Sequence, residues 1–121
     1  MLLSFFYKEG ILREITCPLE AIFHILRGKW APMIVWRARL GNQRLTDLKK
    51  DILNCNEKML IQHINELLEY GVLEKIEYDV YPKHTEYKLT EFGWSLIPVL
   101  AKFQEIGIGY LQNSQLLTKD K

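Results

Sequence analysis

The stretch that decides the fold runs from Arg44 to Leu89 and reads RLTDLKKDILNCNEKMLIQHINELLEYGVLEKIEYDVYPKHTEYKL. Its first part places apolar residues at intervals of three and four, which is the spacing of one face of a helix. After Gly71 apolar and polar residues alternate, which is the spacing of a strand. The stretch therefore predicts two helices followed by two strands.

The two predicted helices are separated by a three-residue break, Leu53-Asn54-Cys55. Thr46 is the expected N-cap of the first helix, and Asn56 is the expected N-cap of the second, which Gly71 should end. The first helix has Leu45, Leu48 and Ile52 at core spacing. The second has an apolar stripe of Leu60, Ile64, Leu67 and Leu68, and an opposite polar side of Glu57, Lys58, Gln62, Asn65, Glu66 and Glu69.

The alternating residues predict strands over 72–78 and 84–89. The turn between them is Asp79-Val80-Tyr81-Pro82-Lys83. Thr90 should cap a last helix, with a kink at Pro98 and an end weakened by Gly107 and Gly109.

Two further helices are expected upstream. Pro18, directly after Cys17, suits the first position of a helix that Gly28 ends. Another begins near Trp30 and carries Ile34, Val35 and Leu40 before the turn at Gly41-Asn42. Residues 1–16 form an N-terminal extension whose apolar side chains we expect at a dimer contact.

Composition indicates one globular domain that is not strongly charged. The chain has 121 residues, a formal net charge of +1 and two cysteines, which is too few for a disulfide framework. No signal peptide and no run of roughly 18 apolar residues is present, so we expect a cytoplasmic protein with no membrane partner. The charge is unevenly spread, because residues 27–58 hold eight basic and three acidic side chains.

The order helix, break, capped helix and hairpin is that of a winged helix-turn-helix. The predicted fold class is therefore mainly α with a small β-hairpin (α+β). We expect a DNA-binding core over 17–90, with a C-terminal dimerisation helix and tail over 91–121. In this fold the second helix enters the major groove of double-stranded DNA.

The predicted DNA contacts fall into two groups. Side chains of the first two turns of the second helix should read bases: Asn56, Glu57, Lys58, Ile61, Gln62 and Asn65. Cationic side chains around that helix and on the hairpin should bind phosphates: Arg44, Lys49, Lys50, Lys83 and His84. An exposed polar face without a partner is the alternative interpretation of the same helix.

Other chemistry-bearing residues are few. Cys17 lies at a helix N-terminus, where the dipole favours a thiolate, whereas a solvent-excluded thiol there would be inert. Cys55 is expected to be structural, and a disulfide between Cys17 of one subunit and Cys55 of the other is the alternative. Trp30 and Trp36 are expected in the core. The histidines lack metal-ligand spacing, and no catalytic motif is present, so we predict no metal, no cofactor and no enzymatic activity.

Several short motifs follow one another along the chain: Cys17-Pro18, Gly28-Lys29-Trp30, Arg44-Leu45-Thr46-Asp47-Leu48, Lys58-Met59-Leu60, Leu67, Tyr70-Gly71, Tyr87-Lys88-Leu89-Thr90-Glu91-Phe92-Gly93 and Leu96. In this order and spacing they resemble the HxlR-type transcriptional regulators, relatives of the MarR group. The resemblance implies a homodimer that binds a palindromic operator, as a repressor or an activator. It also implies a response to an oxidant or a small-molecule electrophile through Cys17, as in some family members.

The sequence departs from the family pattern at two places. Leu53-Asn54-Cys55-Asn56 replaces the usual Pro-Gly-Ile-Ser, with Asn56 as a substitute cap. The hairpin turn lacks a second proline near Pro82. Two alternatives to a repressor are a winged-helix protein-protein interaction module, suggested by Glu57, Glu66 and Glu69, and a thiol enzyme based on Cys17.

Overall fold

Five helices and two antiparallel hairpins form the part of the chain described by the computed structural model, which covers residues 4–8, 11–15 and 17–114. The order is β1 (Ser4–Lys8), β2 (Ile11–Ile15), α1 (Pro18–Ile25), α2 (Trp30–Ala38), α3 (Leu45–Asp51), α4 (Glu57–Glu69), β3 (Leu73–Tyr78), β4 (His84–Leu89) and α5 (Glu91–Asn113). The predicted mainly α fold with a β-hairpin is confirmed.

The core is centred on the contact between α2 and α4. Ile34 and Val35 of α2 and Leu60 of α4 are 0% exposed. Ile64 and Leu67, one and two turns further along α4, are 1% exposed. Burial of this stripe removes several large side chains from water, each worth about 1.5–3 kcal/mol. It also forces the opposite side of α4 outward.

The segment between α3 and α4 follows the predicted break and cap. The Asn56 side-chain oxygen accepts a hydrogen bond from the Met59 N–H at 2.8 Å. Cys55 is buried in the core cluster, and this burial raises the pKa of its thiol. Cys55 therefore takes the structural position predicted for it.

The hairpin β3–β4 pairs from Leu73 with Leu89 to Tyr78 with His84. It is extended by an isolated bridge that the sequence patterns missed. Gln43 and Tyr87 exchange two backbone hydrogen bonds, N–H to carbonyl oxygen, at 2.9 and 2.7 Å. This bridge fastens the segment before α3 to the hairpin.

Three local predictions were wrong. Helix α3 begins at Leu45 with Arg44 as its N-cap, because the Asp47 carboxylate accepts the Arg44 N–H at 2.9 Å; Thr46 is not the cap. Helix α2 ends at Ala38, which leaves Leu40 exposed beyond it. Glu66 is buried at 8% exposure, because Arg27 pairs with it.

Helix α5 is longer and more continuous than its glycines suggested. It runs through Pro98, Gly107 and Gly109 to Asn113, and the predicted Thr90 cap accepts the Gly93 N–H at 3.0 Å. The kink expected at Pro98 stays a prediction. In the N-terminal extension the backbone forms β1 and β2. The side chains of 1–16 and the tail after residue 114 lie outside the described residues, and so does any dimer contact they make.

A close approach between α5 and the start of β3 requires glycine at position 93. A Cβ on Gly93 would overlap the Val72 carbonyl oxygen and lie 2.9 Å from Leu89 Cδ2. At Gly107, in contrast, a Cβ meets no described atom within 4 Å.

We therefore expect Gly93→Ala to lower the free energy of unfolding by about 1–3 kcal/mol, because overpacking outweighs the helix propensity of alanine. The matched variant Gly107→Ala should be neutral or stabilising by up to about 1 kcal/mol. Urea denaturation of both variants measures the difference. Equal stability of the two would contradict the close approach.

Candidate nucleic-acid interface

The outward side of α4 carries all six side chains predicted to read bases. Asn56, Glu57, Lys58, Ile61, Gln62 and Asn65 are each exposed. They lie opposite the buried stripe because that stripe holds the other side of the helix against α2. The structure thus brings the six together on one face, within the first three turns of the helix.

Two of these side chains already have partners within the protein. The Asn56 oxygen is used by the helix cap, which leaves its amide N–H groups to face outward. The Gln62 amide donates to Glu66 at 3.4 Å. Gln62 would have to turn away from Glu66 to make paired hydrogen bonds with adenine.

Glu66 connects the exposed face of α4 to the segment after α1. Its carboxylate accepts from the Arg27 guanidinium at 3.3 Å, and the His63 Nδ1 atom lies 3.8 Å from its other oxygen. A buried carboxylate needs such partners, because desolvation without them is costly. The apolar period predicted Glu66 on the solvent side, and it could not show the pairing with Arg27, which is distant in sequence.

The five predicted phosphate ligands form two groups. Arg44, Lys49 and Lys50 lie on or beside α3 and are exposed. Lys83 and His84 lie at the tip of the β3–β4 hairpin. Among the described residues, Arg44, Lys50 and Lys58 form no ion pair within 4.0 Å. These three cations are therefore available to a phosphate.

The remaining predicted phosphate ligands are paired with carboxylates. Lys49 Nζ lies 2.9 Å from a Glu57 oxygen, and Lys83 Nζ lies 3.5 Å from Asp79. His84 contacts Glu86 through Nε2 at 3.2 Å and its ring stacks on Tyr78. The two lysine pairs are exposed and contribute little stability, so a phosphate can compete for each ammonium group. The His84–Glu86 pair is less exposed, at 20% for each side chain.

The Glu86 carboxylate, on the middle of β4, is held charged by its hydrogen-bond donors. The hydrogen bond donated by the Asn42 side chain at 3.1 Å, followed by that of His84, lowers the pKa of Glu86. The hairpin also carries the pairs Lys88–Glu74 and Lys75–Glu77. Its surface is accordingly of mixed charge rather than uniformly basic.

The other predicted functional residues lie away from this face. Cys17 is exposed at the N-cap position of α1, and both cysteines are unbridged. Trp30 and Trp36 are partly buried against the core, as predicted. Each also has a cation over its ring, Lys29 at 4.7 Å and Arg39 at 3.9 Å from the centroid.

Two other features are absent from the part of the chain that the structure describes. Across residues 4–8, 11–15 and 17–114, no group of three or more His, Cys, Asp or Glu side chains could hold a metal ion. Within the same ranges, no helix combines the length and apolarity needed to cross a bilayer.

The geometry of α3, the turn, α4 and the β3–β4 hairpin defines a winged helix-turn-helix protein. Comparison with known proteins narrows the class. Residues 25–115 match the HxlR-like helix-turn-helix family. The chain belongs to this family.

Individual relatives agree in sequence and in structure. The uncharacterized HTH-type transcriptional regulator YkvN of Bacillus subtilis is 33% identical over 99 residues, which cover 82% of this chain and 83% of YkvN. A crystal structure of YtcD superimposes with a TM-score of 0.74 at 32% identity, covering 80% of this chain and 99% of that one. The oxidized form of the redox regulator HypR superimposes with a TM-score of 0.74 at 28% identity, covering 77% of this chain and 96% of the HypR chain.

Proposed function

We propose that this protein is a cytoplasmic, homodimeric transcriptional regulator that binds a palindromic operator, acts as a repressor and has no enzymatic activity. The observation that carries the proposal is the exposed polar face of α4, together with exposed cations on α3 and on the hairpin. A helix with this exposure fits the major groove, and the flanking cations suit the phosphates on either side. Membership of a helix-turn-helix family supports the same function.

The proposed contacts divide by chemistry. Gln62 and Asn65 present amides that suit adenine, Lys58 suits guanine or a phosphate, and Ile61 can contact a thymine methyl group. Arg44, Lys50 and the hairpin cations would bind phosphates and orient the helix without conveying sequence. The interaction-module alternative loses support, because Glu66 is buried and Glu57 is paired with Lys49.

DNA binding should be salt-dependent and should rely on these cations. Arg44→Ala and Lys50→Ala should each weaken binding, and each variant should do so by a similar factor on every duplex, whatever its sequence. Each should also reduce the magnitude of the slope of log K against log salt concentration by about 1. Fluorescence anisotropy with duplexes selected from a random library measures both quantities.

Lys102→Ala, which removes an exposed lysine on α5, is the matched control and should leave both quantities unchanged. Absence of salt-sensitive binding by the unmodified protein to any duplex would overturn the proposed function.

Dimerisation is proposed through α5. Four of its apolar side chains recur every three or four residues and are more than a third exposed: Val99, Phe103, Ile106 and Tyr110. An apolar stripe of this kind on a helix longer than the core requires is typical of an interface. In the dimer, two copies of α4 would face half-sites about one DNA turn apart or a multiple of that distance.

We expect Ile106→Asp to convert the dimer to a monomer, because a charge would be buried without a partner. Light scattering at micromolar concentration should give the mass of two chains for the unmodified protein and of one chain for the variant. Gln112→Asp, on the opposite side of α5, should remain dimeric. An unmodified protein that is monomeric would rule out this part of the proposal.

A response to oxidants or electrophiles is proposed through Cys17. Its thiol is exposed at the first turn of α1, while the Cys55 thiol is shielded in the core. Similarity to HypR, which is described as a redox regulator, supports the same role. A bridge between Cys17 and Cys55 would require Cys55 to leave the core.

Cys17→Ser should therefore abolish any change in DNA binding caused by diamide or a quinone, while binding under reducing conditions stays intact. Cys55→Ala, the matched control, should keep the response. Gel-shift titrations with and without the oxidant measure it. A response that persists in Cys17→Ser would remove Cys17 from the mechanism.

A further inference from the structure

The Lys49–Glu57 ion pair closes the turn between the two helices of the helix-turn-helix. Lys49 lies in the last turn of α3, Glu57 is the first residue of α4, and their charged atoms are 2.9 Å apart. Each charge also suits the dipole at its helix end. The two side chains are 45% and 53% exposed, so both can be reached from solvent.

Both partners of this pair have a different partner available on DNA. The ammonium group of Lys49 suits a phosphate, and the carboxylate of Glu57 can accept a hydrogen bond from the amino group of cytosine. An exposed ion pair of this kind is weak, so a phosphate can replace the carboxylate. Glu57 would then be left near phosphates, without its cation.

We propose that Glu57 is a specificity-determining residue that makes the contribution of Lys49 to DNA binding conditional on the base sequence. The inference rests on the DNA-binding function proposed above. On any duplex, Lys49 must leave Glu57 to reach a phosphate, and the carboxylate is then repelled by the backbone. Only a base whose amino group lies opposite Glu57 compensates for the loss of Lys49 as a partner, and cytosine is the base that suits a carboxylate best. Discrimination thus comes from a repulsive element.

Neighbouring cations show why this pair differs from its surroundings. Arg44, Lys50 and Lys58 have no ion-pair partner among the described residues, so their attraction to phosphates does not depend on sequence. Lys83 is paired, but its carboxylate partner Asp79 is on the hairpin rather than on α4. Among the ion pairs between described residues that involve a predicted phosphate ligand, Lys49–Glu57 is the one whose carboxylate lies on the helix that would read bases.

The test compares two duplexes, one selected by the unmodified protein from a random library and one of mixed sequence without the selected motif. Glu57→Gln should raise affinity for the mixed duplex by about three- to tenfold and steepen its salt slope by up to about 1. Affinity for the selected duplex should rise less or fall. Glu69→Gln, at the far end of α4, is the matched control and should change neither affinity.

A second variant separates release of Lys49 from simple loss of a negative charge. In a Lys49→Gln background, Glu57→Gln should give a clearly smaller gain on the mixed duplex than in the unmodified protein. Selection repeated with Glu57→Gln should lose a cytosine preference at one position of each half-site.

Three results would overturn the inference while leaving the proposed function intact. They are an unchanged ratio of the two affinities in Glu57→Gln, an equal gain in both backgrounds, or an unaltered selected sequence. A pair that merely stabilises the turn would lower both affinities together and would also overturn it. Failure of the proposed function is distinct, because the unmodified protein would then show no salt-sensitive binding to either duplex.

Discussion

Packing of the apolar stripe of α4 against α2 is the constraint on which the rest of the structure depends. Leu60 and Ile64 are almost completely buried against a core that includes Ile34 and Val35. Removal of these side chains from water fixes the rotation of α4 about its own axis. Because one side of α4 is held against the core, the same packing exposes the six side chains on the opposite side that are proposed to contact DNA. Stability and function are therefore linked through one helix rotation.

Three contacts between residues distant in sequence then join the neighbouring elements around α4. The Gln43–Tyr87 bridge joins the segment before α3 to the hairpin, and the absence of a side chain at Gly93 allows α5 to approach Val72. Arg27 reaches Glu66 from the segment after α1. These contacts join the segment before α3, helix α5 and the segment after α1 to the elements that pack around α4.

Local signals in the sequence were sufficient for most of the fold. The caps Asn56 and Thr90 and the end of α4 near Gly71 depend on neighbouring residues, and all were predicted correctly. The errors arose where a residue far along the chain, or an unexpected local acceptor, changed the outcome. Glu66 is buried because of Arg27, and Asp47 rather than Thr46 satisfies the start of α3. The backbone hairpin of the N-terminal extension had no clear alternation to predict it.

The candidate site was predictable as a set of residues but not as a set of pairs. Exposure of the α4 face follows from the apolar period alone, whereas the Lys49–Glu57 pair depends on how the turn folds back. Periodicity reports which side a residue faces, and it does not report which side chains meet across a turn. The distinction matters here because pairing decides which charges are available to a nucleic acid.

The central claim is that α4 enters the groove of DNA, and an NMR titration tests it most directly. A duplex that the protein binds is added to isotopically labelled protein, and the changes in the backbone amide signals are measured. The largest changes should fall between Asn56 and Asn65 and at the tip of the hairpin, with small changes along α5. Changes concentrated in α1 and α5, with the amides of α4 unperturbed, would contradict the assignment of α4 as the helix that enters the groove.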